Sequence, residues 1–331
     1  MTEWISFFIN YKDKKMNNIT KEINICFAAT PELIPYATVV AISAIKNLKQ
    51  GSQLNIYFLY SNINNIDNKQ LNYFFECAKS SFKSFKINIK FYDVKKYINI
   101  FEGQNIGMWG KKISFSHYMY LLMPLIIKNV NKIIYLDTDT IVNYDLSNVF
   151  SIDIGEYLLA MGAPRGYEEM GEDVSNSGFI LINLKKWIEE DVLTKLLEFG
   201  RKLPRSHFCD QYLLHEYFKK KHPNRLLLLD KNYNVFPHLM TDISIDDMRI
   251  LHFTGYNHIK PWNDINFKQR GGYLFWKYAR QTNFYEFFIF NLLESEIKLK
   301  IKEKNNWNKI LSLLMRIKNK ILNNIKKMKN Y

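Results

Sequence analysis

Asp137 and Asp139 stand one residue apart at the end of the apolar run Lys132-Ile133-Ile134-Tyr135-Leu136, and the chain turns apolar again at Thr140-Ile141-Val142. A run of this kind reads as a buried strand. Carboxylates are seldom buried unless they are paired or bound to metal. The two acids therefore belong at the strand's C-terminal end, the edge where open α/β sheets bind ligands. Spaced i and i+2, both can offer oxygens to one divalent cation. Mg²⁺ and Mn²⁺ prefer oxygen-rich octahedral sites and keep positions open for phosphate. The bland alternative is a satisfied turn or a salt-bridged pair.

A second group follows a later strand: His252-Phe253-Thr254-Gly255, then Lys260-Pro261-Trp262. A lone His after a strand is more often a polar edge residue. Here Gly255 lets backbone approach a ligand closely, and Lys260 supplies a point charge suited to phosphate. A His joining two Asp ligands would complete the protein's half of a metal shell, leaving the other half to a diphosphate. A third group is Asn176-Ser177-Gly178 with Asp210-Gln211. Their amides can grip sugar hydroxyls. Asp210 can orient a sugar or stabilise positive charge at an anomeric carbon, although an Asp at a helix start is commonly a cap.

The elements that must position these groups alternate. Strands are expected at 24–29, 54–60 and 86–92. A helix enters near Pro35, runs through Leu48 and is closed by Gly51. A second helix is expected over 67–79. This β-α-β-α-β rhythm argues for a parallel sheet with helices on both faces. Ser114 is expected to cap a short helix that ends at Met123-Pro124. One strand is expected from Ile133 to Val142, another over 157–163, then a surface lid over 164–174. A buried strand over 179–184 leads into a helix over 185–200 and a second helix over 210–218. Short strands are expected at 226–229 and 250–253, and the chain reads as helical from Gly272 onward, with a break at Asn305-Asn306.

The 331 residues carry a net charge of +14, with 47% hydrophobic and 24% charged content, ordinary for a globular α/β domain with an appendage. No repeat, membrane-spanning run or signal peptide is apparent, so a cytoplasmic protein is expected. Cys26, Cys77 and Cys209 are isolated and odd in number, which fits reduced thiols. The end of the chain, 307–331, has six Lys and one Arg and no acid. Trp307, Ile310, Leu311, Leu314, Ile317, Ile321, Ile325 and Met328 recur there at helical spacing. Such a basic amphipathic helix suits an anionic membrane surface; the alternative is a helix packed on the domain. A nucleic-acid partner is not expected, since the charge is concentrated in the tail and no nucleic-acid-binding signature appears.

Taken in order, Phe27-Ala28-Ala29, Ile113-Ser114, Tyr135-Leu136-Asp137-Thr138-Asp139, Asn176-Ser177-Gly178 with Leu181-Ile182-Asn183-Leu184-Lys185-Lys186-Trp187, Asp210-Gln211, and His252, Gly255 and Lys260-Pro261-Trp262 resemble glycosyltransferase family 8. The likeness covers about residues 23–262. It is close to the bacterial lipopolysaccharide galactosyl- and glucosyltransferases and more distantly similar to glycogenin. It implies a GT-A-like nucleotide-diphospho-sugar transferase fold, with a lead-in over 1–21, the transferase domain over 22–284 and a basic helical tail over 285–331. It implies retaining transfer of a hexose, galactose or glucose, from a UDP-sugar to a saccharide, on a lipopolysaccharide or lipooligosaccharide core. Asp137, Asp139 and His252 would hold Mn²⁺ or Mg²⁺. Ala28, Ala29, Thr30, Glu32, Ser114, Asp137, Thr138, Asn176, Gly255 and Lys260 would meet the donor, with Gln211 and Asp210 at the reacting carbon. The protein would sit peripherally on the inner face of the cytoplasmic membrane, held by 307–331.

Four positions depart from the family pattern. Thr30 replaces an Asp, Leu33 stands where an aromatic residue stacks on uracil (Tyr36 is near enough to substitute), Tyr120 replaces an Arg, and Ala163 stands in a stretch that lacks an Asp. They leave open a weakly active or inactive UDP-sugar-binding member. A different class, the haloacid-dehalogenase phosphatases, also places Asp-X-Asp after an apolar strand. Asp246-Asp247 would be its second acidic pair, but His252 to Trp262 would then have no role.

Overall fold

The computed structural model describes residues 22–49, 51–61, 86–104, 107–108, 111–112, 115–163, 165–167, 172–204, 209–255, 259–264, 266–303, 312 and 316. Its strands are β1 (Glu22–Ala28), β2 (Gln53–Tyr60), β3 (Lys86–Asp93), β4 (Gly107–Met108), β5 (Lys111–Lys112), β6 (Ile133–Leu136), β7 (Thr140–Val142), β8 (Leu159–Met161), β9 (Arg165–Tyr167), β10 (Glu172–Val174), β11 (Phe179–Ile182), β12 (Leu226–Leu228) and β13 (Ile250–His252). Seven form one sheet in the order β12-β8-β11-β6-β1-β2-β3. Within it β11 alone runs against its neighbours.

Successive side chains of a strand point to opposite faces, and both faces of this sheet are covered. Ile23, Ile25 and Phe27 of β1 join Leu54, Ile56 and Phe58 of β2 on one face, with the helix Ile34–Lys46. Cys26, Tyr57, Leu59, Ile133 and Tyr135 face the other way, onto the 3₁₀ segment Phe115–Leu122 and the helix Val192–Gly200. Buried among apolar neighbours, the Cys26 thiol is pushed well above its usual range. A line of amides crosses three strands in register: Asn88 Nδ2 donates to Asn55 Oδ1 and Asn55 Nδ2 to Asn24 Oδ1, both at 2.9 Å. A one-residue slip would break that line, so it helps to fix register.

Several elements differ from expectation for identifiable reasons. The run Ile133 to Val142 is two strands, β6 in the sheet and β7 paired antiparallel with β13. Asp137 to Asp139 turns the chain between them: Thr140 Oγ1 and N both donate to the Asp137 carbonyl, at 2.8 and 3.3 Å. The expected lid includes an antiparallel pair, β9 with β10. Pro124 lies in the first turn of a helix, Met123–Ile126, where its missing N–H costs nothing. The first helix is capped by Asn47, not Gly51, which instead sits at positive φ in the turn before β2. The helix expected over 185–200 is broken by Asp191 in a left-handed conformation, giving Leu184–Glu189 and Val192–Gly200. After Cys209–Leu214 the chain continues as a π-helix, His215–Lys221.

The helix expected over 67–79 and the Ser114 cap lie outside the described residues, as do Cys77 and all of 307–331 except Ser312 and Arg316. The helix Tyr285–Glu303 begins where the tail was expected, but Phe288 and Leu292 are buried. Phe288 packs against Tyr36 and Phe275, with ring centroids 5.1 Å away in each case. The core therefore extends past residue 284.

Candidate active site

β6 ends on Leu136, and the next peptide is still held by the sheet, since Asp137 N donates to the Gly178 carbonyl at 2.9 Å. The carboxylate is thereby fixed at the sheet edge. Its neighbour β7 pairs with β13 so that His252 lies opposite Thr140, and Phe253 N donates to the Asp139 carbonyl at 2.9 Å. This pairing carries His252 across more than a hundred residues of sequence to the acids. Its Nε2 lies 2.9 Å from Asp139 Oδ1 and 3.6 Å from Asp137 Oδ2. Lys260 Nζ donates to Asp139 Oδ2 at 2.8 Å and also to the Phe253 carbonyl.

Ligand atoms of Asp137, Asp139 and His252 all lie within 4.8 Å of one another, the one such group among the described residues. Two carboxylates and an imidazole suit Mn²⁺ or Mg²⁺ bound mainly through oxygen. The electrostatics match. Burial pushes the Asp139 carboxyl up, but His252 and Lys260 outweigh it and hold it well below the usual carboxylate range. Burial raises Asp137, and the Asp139 charge adds to that, against His252 and the Tyr135 hydroxyl.

The imidazole is itself oriented. Its Nδ1 lies 2.8 Å from Asn234 Oδ1, and Asn234 Nδ2 donates to both the carbonyl and the Oδ1 of Asn176, each at 2.9 Å. Asn176 Nδ2 then donates to Gln211 Oε1 at 2.8 Å, and its Oδ1 accepts from Gly178 N at 2.8 Å. Both ends of the Asn176 amide are thus engaged within the protein, so it positions its neighbours where a sugar contact was expected. Gln211 Nε2 is buried with no hydrogen-bond partner among the described residues, and so is Ser175 Oγ. Orphaned buried donors are rare in folded proteins, and these two flank the Asn176 relay.

Asp210 is buried beside the relay. Its Oδ2 accepts from Tyr120 Oη at 3.0 Å, and the Ser177 side chain bonds it as well. Tyr120 stacks on Tyr135 with centroids 4.3 Å apart, and Tyr135 Oη donates to Asp137 Oδ1 at 2.6 Å. Burial raises both phenols well above their usual range, reinforced by Asp210 for Tyr120 and by Asp137 for Tyr135. Both therefore stay protonated and act as donors. Burial, with the Asp137 charge adding, lifts Asp210 from 3.8 to about 6, while His117 opposes the rise.

Among the other expected donor contacts, Ala28 and Ala29 are buried at the end of β1, Thr30 and Thr138 are half-buried, and Glu32 is exposed. Gly255 is exposed at φ +102°, a conformation that suits glycine. Ser114 lies outside the described residues. Tyr36 does not serve as a free stacking face, because it packs on Trp262 at 4.7 Å as well as on Phe288. Sequence reasoning assigned no role to Asn234, Tyr135 or His117. Tyr135 had a usable signal, since it stands two residues before Asp137 and so on the same strand face. Asn234 had none.

With this geometry in view, the relationship to known proteins is direct. A family model described as Glycosyl transferase family 8 matches residues 24–266. The chain belongs to this family. A putative glycosyltransferase of Haemophilus influenzae is 27% identical over 224 residues, 61% of this chain and 61% of its own length. The glycosyltransferase GlyF of Streptococcus pneumoniae is 30% identical over 179 residues, 51% of this chain and 43% of its own. The chain thus spans less than two thirds of either relative. Among solved structures, the galactosyltransferase LgtC in complex with donor and acceptor sugar analogs has a TM-score of 0.63 at 22% identity, covering 79% of this chain and 96% of LgtC. The WbbM bifunctional glycosyltransferase has a TM-score of 0.64 at 17% identity, covering 82% of this chain and 52% of its own. These likenesses bear out the GT-A-like fold. Membership of family 8 also removes the phosphatase alternative, and Asp246 and Asp247 lie exposed in a 3₁₀ turn.

Two predictions follow from the packing and the charge. A Cβ on Gly178 would lie 2.2 Å from His252 Cε1 and 2.5 Å from its Nδ1. Gly178→Ala should therefore displace the imidazole and weaken Mn²⁺ binding roughly tenfold or more in a metal titration; unchanged affinity would mean that the ring position does not matter. Asp210 ionises near 6 folded but near 3.8 unfolded. The folded chain thus holds this proton more tightly, and keeping the ionised group buried costs up to about 3 kcal/mol above pH 6 and nothing below about pH 4. Asp210→Asn should raise the melting temperature at pH 7.5, with the gain fading between about pH 6 and pH 4. A gain independent of pH would rule out the buried charge as its source.

Proposed function

We propose that the chain transfers a hexose, galactose or glucose, from a UDP-sugar to a saccharide hydroxyl with retention of configuration. The observation that carries this is the Asp137/Asp139/His252 cluster at the sheet edge, flanked by Lys260. A divalent metal, Mn²⁺ in our reading, would be held by these three residues and would supply Lewis-acid stabilisation of the departing diphosphate. Membership of family 8 and the likeness of fold to a galactosyltransferase support the same chemistry.

The chain's own groups have distinct tasks. Lys260 adds positive charge beside the cluster, where the leaving UDP gathers negative charge. Ala28, Ala29, Thr30, Glu32, Ser114, Thr138 and Gly255 are assigned to the nucleotide and diphosphate. Gln211 keeps its Oε1 on Asn176 and leaves Nε2 to donate to the sugar or the acceptor. An amide is a poor nucleophile, so a double displacement through Gln211 is disfavoured. In a front-face reaction the bond from the anomeric carbon to the UDP oxygen breaks. The acceptor oxygen bonds to that carbon on the same face, and its proton passes to the departing phosphate. Asp210, held by Tyr120, lies close enough to the cluster to stabilise the positive charge that develops on the sugar.

The acceptor is assigned as a lipopolysaccharide or lipooligosaccharide core, and 307–331 as a segment that holds the enzyme against an anionic inner leaflet. Seven basic residues without an acid support that location. Among the described residues no helix is long and apolar enough to cross a membrane.

UDP release from UDP-galactose, UDP-glucose and UDP-N-acetylglucosamine, with Mn²⁺ or with chelator, tests the activity. One of the two hexose donors should be consumed, chelator should abolish turnover, and Asp139→Asn should lower kcat by roughly 10²–10³-fold. Full activity of that variant in chelator would exclude the metal role, and no release from any donor would favour an inactive sugar-nucleotide binder. Deleting 307–331 should move the protein from the membrane fraction to the soluble fraction; unchanged partition would refute the anchor.

A further inference from the structure

β11 pairs Phe179 with Leu136 near the cluster and Ile182 with Leu159 at its other end. Leu158 and Arg225, which precede β8 and β12, therefore lie at the sheet end away from Asp137. A cavity of about 790 Å³ opens there between the helix Val192–Gly200 and the π-helix His215–Lys221, large enough for a small saccharide. Helices of the π type are rare and concentrate at functional sites.

Its lining is strongly cationic. Arg225 is already held by Glu190 and Glu156. Lys195, Lys202 and Lys221 also line it, with Glu190 and Glu198 as the acids of the lining, and among the described residues none of the three lysines has a carboxylate within ion-pair distance. Burial, then Lys221, Arg225 and Lys195, hold the His222 imidazole below its usual range. The wall is aromatic: Phe199 and Tyr217 meet edge to face with centroids 5.3 Å apart, and Lys221 Nζ lies 5.0 Å and 5.8 Å from their centroids.

We propose that this cavity is a second binding site, for a phosphorylated saccharide. Lys195, Lys202 and Lys221 take the phosphate, and the half-buried ring of Phe199 takes the apolar face of the sugar; Tyr217, buried against Phe218 and His222, backs that ring. The lysines argue for the anion on their own; the saccharide half rests additionally on the proposed glycosyl transfer. Such a site would hold a charged part of a glycan while another part is at the metal cluster, or would sense a soluble sugar phosphate. Both sources present the same chemistry.

Calorimetric titrations of the full chain in chelator, with the catalytic cluster disabled by Asp139→Asn, test the site independently of turnover. Glucose 6-phosphate should bind saturably and at least fivefold more tightly than inorganic phosphate, and neutral glucose should not bind. Lys195→Ala with Lys221→Ala should weaken binding tenfold or more, while Lys195→Arg with Lys221→Arg should restore it; circular dichroism checks that both variants are folded. Tighter binding of a phosphorylated pentamannose would identify a glycan as the source, and equal or weaker binding a soluble sugar phosphate. Equal affinity for inorganic phosphate overturns the saccharide assignment. No saturable binding, or binding indifferent to the lysines, overturns the site. Saturable binding with no UDP release from any donor would leave the cavity standing and refute the catalytic reading alone.

Discussion

Two carboxylates one residue apart at the edge of a buried strand repel each other, and the fold around them is arranged to offset that repulsion. At about 4 Å and an effective dielectric near 20, an ion pair attracts by roughly 4 kcal/mol before the cost of desolvating its partners is counted. Asp139 has one such contact, to Lys260 at 2.8 Å, and its Oδ1 lies 2.9 Å from His252 Nε2. Neither partner is local in sequence. The β7–β13 ribbon delivers His252, and the Phe253 carbonyl holds the Lys260 ammonium in place. Losing that ribbon would leave the acids both unpaired and misplaced, so the pairing of residues 250–252 with 140–142 is as necessary to the site as the acids themselves.

The same constraint explains the close packing behind the imidazole. His252 is buried against Phe236, with centroids 5.6 Å apart, and the absent side chain of Gly178 is what admits its ring. The Asn234–Asn176–Gln211 chain then connects ring orientation to the amide proposed to meet the sugar. Outer partners of this kind fix tautomer and direction. A shift of His252 would be felt at Gln211 through two intervening side chains, which would couple the proposed metal site to the proposed sugar contact without any moving part.

The primary structure made the metal cluster legible because strand ends and acid spacing are local properties. Leu136, Asp137 and Asp139 announce a sheet edge, and the Gly255 to Lys260 stretch announces a phosphate-type loop. What stayed hidden depends on tertiary contacts. A continuous apolar run cannot show that residues 133–136 and 140–142 enter different sheets, since either arrangement buries them. Asn234 lies between a turn and a strand with no pattern of its own, and only the fold brings it to His252. The break at Asp191 is equally invisible, because the apolar period of the helix continues across it. Tyr36 shows the reverse case: an aromatic residue well placed in sequence for stacking is used instead to join Trp262 and Phe288.

Asp210 and Gln211, the residues proposed to meet the sugar, carry the costliest polar groups beside the cluster. A core that was merely structural would pair the Gln211 amide nitrogen and would not raise the Asp210 carboxyl to about 6. Each feature costs stability, and each sits within one hydrogen bond of a residue that positions the cluster or stacks beside it. The costs are confined to the end of the sheet where β1 and β6 terminate. At the opposite end the polar groups behave differently: Arg225 is tied to two glutamates, and the lysines around it face solvent, where a charge without a partner costs little until a ligand arrives. The sheet thus has the buried, costly polar groups of the candidate site at one end and a cleft lined by exposed lysines at the other, with the buried strands β6, β1 and β11 between them.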